Sequence, residues 1–227
     1  MNRWKKIMNH EKKVRIGCAS AFWGDTTTAA KQLVEKSTLD YLVFDFLAEV
    51  TMSILAGAKK KNMEMGYATD FVEQLAPLLS QIKEKNITVL SNAGGLNLSA
   101  CRKALMNEAE KAGINLKIAL VIGDDLMEEF PRLMELGVKE IETDHPLPDP
   151  CLSINAYLGA PGIVAALEQG ADIIITGRCV DSAMVLAPLI YEFGWTMNDY
   201  DLLAAGSLAG HIIECGAQCT GGNFTDW

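Results

Sequence analysis

The sequence predicts an open, mostly parallel, doubly wound α/β sheet of the Rossmann-like type, with helices on both faces, and three observations predict it. Short runs rich in Val, Ile and Leu recur along the chain, segments with apolar residues three and four apart separate them, and the runs themselves are apolar on both faces. Strands buried on both sides belong in a parallel sheet covered by helices and joined by right-handed crossovers. A partial β/α barrel is the alternative, since the spacing of the units fits both.

The strand runs fall at residues 14–19, 40–46, 87–91, 116–122, 138–142 and 171–176. Phe71, Leu75, Leu78, Leu79 and Ile82 form a helical stripe behind the capping candidates Thr69 and Asp70, and Leu126, Phe130, Leu133 and Leu136 form another behind Asp125. Pro161 opens a short helix that Gly170 stops. Residues 143–155, with Pro146, Pro148 and Pro150, read as an extended loop and as the one place where a domain boundary could fall. Beyond residue 176 a helix begins at Asp181, and a second, over DYDLLAAGSLAGHIIEC, ends before Gly216. Both are more apolar than surface helices should be. The small face of the second (Ala204, Ala205, Gly206, Ala209 and Gly210) has no later element to meet, so the fold reads as incomplete at its carboxyl end.

Composition narrows the function classes. At 227 residues the chain can bury a core unaided, and its net charge of −9 would repel a nucleic-acid backbone. The bases concentrate at the start, where Arg3, Lys5, Lys6, Lys12, Lys13 and Arg15 face only Glu11. Residues 1–13 therefore read as a basic, flexible terminus and 14–227 as one domain. No apolar run is long enough for a membrane helix. Six cysteines without a signal peptide point to free thiols in a reducing cytoplasm.

Ligands of a parallel sheet gather outside the carboxyl ends of the strands, which makes the residues just after each strand the site candidates. The first strand leads to Asp25 through a polar turn, the second ends in Asp45 with Glu49 following, and the third runs into Ser91-Asn92-Ala93-Gly94-Gly95. Adjacent glycines at a helix start permit close backbone approach to an anion, although the spacing matches no nucleotide motif. Asp124 and Asp125 after the fourth strand read as capping residues. The last strand gives Arg178, a bidentate fork for a carboxylate or phosphate, with Asp181 able to orient it. Asp45 and Asp181 are the catalytic candidates, and Asp25, Asn92, Gly94, Gly95 and Arg178 the ligand-binding ones. His211, Glu214, Cys215 and Cys219 invite a zinc reading, but Gly216 breaks the helix before Cys219 and only one histidine is at hand, so no metal is expected. A Cys215 thiol paired with His211 is the other possibility there, with burial in an apolar helix as the plainer reading. No residue pattern supports NAD, haem, flavin or pyridoxal phosphate, which leaves the cofactor open.

The stretches IGCASAFWGD (16–25), DYLVFDFLAEVTMSIL (40–55), SNAGGLN (91–97), NAYLGA (155–160), GADIIITGRCVDSAMVLAPLIYEFGW (170–195) and LAAGSLAGHIIECGAQCTGGNFTD (203–226) resemble the acyclic terpene utilisation AtuA family. The resemblance spans residues 14–227. Family members are longer, so it implies that only the amino-terminal part is represented. It also implies a place in terpene breakdown through acyl-CoA intermediates, without naming a reaction or a catalytic residue. Three expectations follow: a protein binding a small anionic metabolite, such as a carboxylate or acyl-CoA ester, in strand-end loops; a non-catalytic subunit or binding module that pairs with itself or another chain through its terminal helices; or a truncated, inactive product.

Overall fold

A computed structural model describes residues 12–220, which leaves most of the basic amino-terminal segment and the glycine-rich stretch before Trp227 outside the described residues. Five parallel strands form one sheet: β1 (Ile16–Cys18), β2 (Tyr41–Phe44), β3 (Thr88–Ser91), β4 (Ile118–Val121) and β5 (Ile173–Thr176). Their order is β1-β2-β3-β5-β4. Because β1 and β4 are edges, the sheet is open, and the barrel alternative is excluded.

Alternate side chains of the strands enter two separate cores. Leu42, Phe44, Val89, Ile173 and Ile175 face one helical layer, while Tyr41, Val43, Leu90 and Ile174 face the other. The first layer holds α1 (Ala29–Lys36), α2 (Glu49–Lys61), α3 (Thr69–Leu75), α4 (Leu79–Glu84) and α5 (Leu98–Lys111). The second is built on α7 (Pro161–Glu168) and α8 (Ala183–Phe193). The stripe Phe71, Leu75, Leu78, Leu79 and Ile82 is buried throughout, but it lies on two helices joined by a tight turn at Ala76–Leu78. Pro77 is the reason: it has no N–H to continue the α-helical ladder.

Two expectations fail. Residues 138–142 do not form a strand, and Ile141 is 95% exposed. In VKEIE, charges stand beside nearly every apolar residue, so neither face could enter a core without burying a charge. Instead Glu140 accepts from the Thr143 N–H and hydroxyl, and the segment bends. The stripe at 126–136 gives only a short turn and α6 (Phe130–Glu135), with no fully buried side chain.

The second is the expected lack of a partner for the small face of α9 (Tyr200–Ile213). Its small face meets an earlier element. Gly194 adopts φ +61°, ends α8 and lets the chain double back. A Cβ on Gly206 would stand 2.8 Å from Leu186 Cδ1, and one on Gly210 2.8 Å from the Ser182 carbonyl. Thus α8 is apolar all round because the sheet covers one side and α9 the other. The outer side of α9 leaves Tyr200, Leu208 and Ile212 exposed. Among the described residues, no helix is long and apolar enough to cross a membrane.

Candidate functional site

The chain leaves β3 toward α5 on one face and leaves β5 toward α8 on the other. Adjacent strands whose following connections diverge open a crevice at their carboxyl ends, where α/β sheets bind ligands. Asp45, one residue past β2, lies at this end and is 2% exposed. Its Oδ1 accepts from Asn92 Nδ2 at 2.6 Å and from the Leu47 N–H at 3.4 Å, while Oδ2 is buried without a partner. Asn92 in turn accepts from the Phe46 N–H at 2.7 Å, which fixes the amide and the loop after β2 together. Burial lifts the Asp45 pKa to about 7; the Asn92 hydrogen bond opposes this, and the Glu214 and Asp181 charges add to it.

Arg178 is 4% exposed. Its N–H donates to Asp124 Oδ2 at 2.7 Å, and Asn155 Nδ2 donates to the same oxygen at 3.0 Å. Asp124 therefore pins the loop after β5, a role hidden behind its resemblance to a capping residue. The guanidinium donates from NH1 to the Cys179 carbonyl at 2.6 Å and to Asp181 Oδ1 at 3.1 Å, and NH2 lies 3.7 Å from Glu49 Oε1. It stacks over the Tyr157 ring at 4.1 Å, and the Tyr157 hydroxyl donates to Glu49. Nε is buried without a partner.

The chain beyond α9 returns across the strand ends. Cys18 Sγ donates to the Glu214 carbonyl at 3.4 Å, which ties this return to the end of β1. His211 Nδ1 lies 3.6 Å from Glu214 Oε1. The His211 side chain is 69% exposed, so burial in an apolar helix does not describe it. Thiolate chemistry does not fit either. Burial pushes the Cys215 pKa up to about 11 and those of Cys18 and Cys179 up to about 12.

Comparison with known families matches residues 14–227 to the acyclic terpene utilisation family protein AtuA. The chain belongs to this family. No curated protein and no solved structure matches it.

In this AtuA-family chain the crevice unites Asp45, Asn92, Arg178 and Asp181. Asp25 remains at the β1 edge, where Oδ2 accepts from the Ala21 N–H at 3.0 Å and Oδ1 is buried without a partner. Gly94 and Gly95 lie in the loop after β3, and the space beside them is filled. A Cβ on Gly94 would stand 2.6 Å from the Thr176 carbonyl, and one on Gly95 2.5 Å from Leu55 Cδ1. Both glycines thus have a packing reason to be glycine. Tyr157 and Asn155 escaped the sequence reading because they come from irregular segments with no periodicity. His211 and Glu214 carried a usable signal, since side chains three apart share a helix face.

Proposed function

We propose that this chain binds a small anionic metabolite, a carboxylate or acyl-CoA ester of terpenoid or fatty-acyl catabolism, in the crevice between β3 and β5, with Asp45 as general base. One observation carries the reading: two buried ionisable side chains, Asp45 and Arg178, each keep an atom without a partner at the sheet end where ligands bind. Unpaired buried polar atoms are costly, and a ligand that satisfies them recovers the cost. A carboxyl with its pKa near 7 is suited to accept a proton at neutral pH. Asp181 orients the guanidinium, and Asn92 fixes the base. Family membership supports the catabolic setting, and six free cysteines support a reducing cytoplasm.

The test is isothermal titration with isovalerate and isovaleryl-CoA. Arg178→Lys keeps the charge but loses the planar fork, and it is expected to weaken binding about tenfold or more while the protein stays folded. Equal affinity in the variant, or no binding to the parent chain, refutes the reading. The outer face of α9 favours a second one, a module that docks on another chain through Tyr200, Leu208 and Ile212. A stable monomer in light scattering speaks against it.

A further inference from the structure

We infer that Asp181, His211 and Glu214 form a binding site for a divalent transition-metal ion at the rim of the crevice. One ligand atom from each lies within 4.8 Å of the others. An ion with bonds of about 2.1 Å holds its ligands roughly 3–4 Å apart, so small side-chain rotations close the set. The donors come from two elements that only the fold brings together: Asp181 from the loop between β5 and α8, His211 and Glu214 from the end of α9. The sequence reading grouped His211 and Glu214 with Cys215 and Cys219 instead, and from that set expected no metal.

Three polar groups near one another do not make a site, but a second observation points the same way. Asp45 is 2% exposed, its Oδ2 has no partner, and the Glu214 and Asp181 carboxylates are the charges that act on it. Asp181 and Glu214 thus lie close to one another and act on Asp45, while the Arg178 guanidinium faces Asp181 through NH1 and Glu49 through NH2. Carboxylates concentrated in this way repel one another, and a cation among them removes the repulsion. The ion's role in ligand binding rests on the function proposed above: an anionic metabolite entering so acidic a crevice needs more positive charge than Arg178 supplies.

The donor set narrows the ion. Mg²⁺ and Ca²⁺ favour all-oxygen sites, whereas an imidazole with two carboxylates suits zinc, manganese or iron. Cys215 is not needed as a ligand, because its Sγ donates to Glu214 Oε1 at 3.3 Å. Asp181 and His211 are 42% and 69% exposed at their side chains, which leaves positions open to water or a substrate oxygen. That openness is the mark of a reactive site; structural zinc sites are closed.

The test uses the full chain stripped with EDTA and titrated calorimetrically with ZnCl₂ and with MnCl₂, alongside His211→Ala, Asp181→Asn and Cys215→Ser. His211 is exposed, so its variant should keep the parent's circular dichroism and melting curve. The expected result is one ion per chain for at least one metal, about tenfold or more weaker in His211→Ala and Asp181→Asn, and unchanged in Cys215→Ser. No binding of either ion overturns the proposal, as does binding indifferent to His211 and Asp181 or lost in Cys215→Ser. A parallel isovalerate titration separates the two readings. Anion binding that needs Arg178 while neither ion binds keeps the function and overturns the metal site; metal binding by the three residues with no anion binding does the reverse.

Discussion

Replacing Asp45 with asparagine is expected to make the protein more stable above neutral pH and, at the same time, unable to accept a proton at the crevice. The side chain is buried, and its carboxyl keeps a pKa near 7 against an ordinary value of 3.8. A carboxyl whose pKa is raised on folding binds its proton more tightly in the native state. Its contribution is therefore fully present below about pH 4 and is lost as pH rises through about 7. At pH 8 the native state carries the whole cost of the buried charge, on the order of 4 kcal/mol. Asparagine keeps the oxygen that accepts from Asn92 and removes the charge. Melting curves in chelator should show the variant gaining on the order of 10 °C at pH 8 and little at pH 4. A variant that melts lower at pH 8 would show that the carboxylate is stabilised by its surroundings, which contradicts the role of base. Stability gained where function is lost is the usual sign of a site that folding alone would not select.

Gly94→Ala is expected to cost about 3 kcal/mol and to disturb the ends of β3 and β5 where the candidate residues lie. The added methyl would sit 2.6 Å from the Thr176 carbonyl, 2.7 Å from Leu98 Cγ and 2.9 Å from Ile175 Cγ2. The carbonyl and the strand that carries it cannot yield without parting the ends of β3 and β5, and overpacking of this kind typically costs roughly 1–3 kcal/mol or more. Because Thr176 lies two residues before Arg178, the guanidinium should shift with it. Gly57→Ala is the control. Gly57 lies inside α2 with nothing within 4 Å of an added methyl, so alanine there should stabilise by up to about 1 kcal/mol. Urea titrations of both variants decide the matter: a Gly94→Ala chain as stable as its parent would mean that the glycine is there for a ligand and not for packing.

These residues also show what could be read without a structure. The five observed strands coincide with five of the apolar runs, because burying both faces of a strand demands a continuous run of Val, Ile and Leu. The sixth run failed for the converse reason: Lys139, Glu140 and Glu142 cannot be buried together, however apolar Val138 and Ile141 are. Asp45, Asn92, Arg178 and Asp181 were legible as candidates because ligands of parallel sheets generally gather at the residues just past the strands. The reason for the glycine pair was not, since close packing against Thr176 and Leu55 involves segments remote in sequence.

The local pattern of apolar and polar residues thus determined the strands, most of the helices and the strand ends where the candidate residues lie. Only the tertiary structure decided that α9 turns back onto α8, that Tyr157 covers Arg178, and that His211 and Glu214 come to rest beside Asp181. Periodicity records which face of an element is buried. It carries no record of which distant element buries it, and the crevice is assembled from such distant pairs.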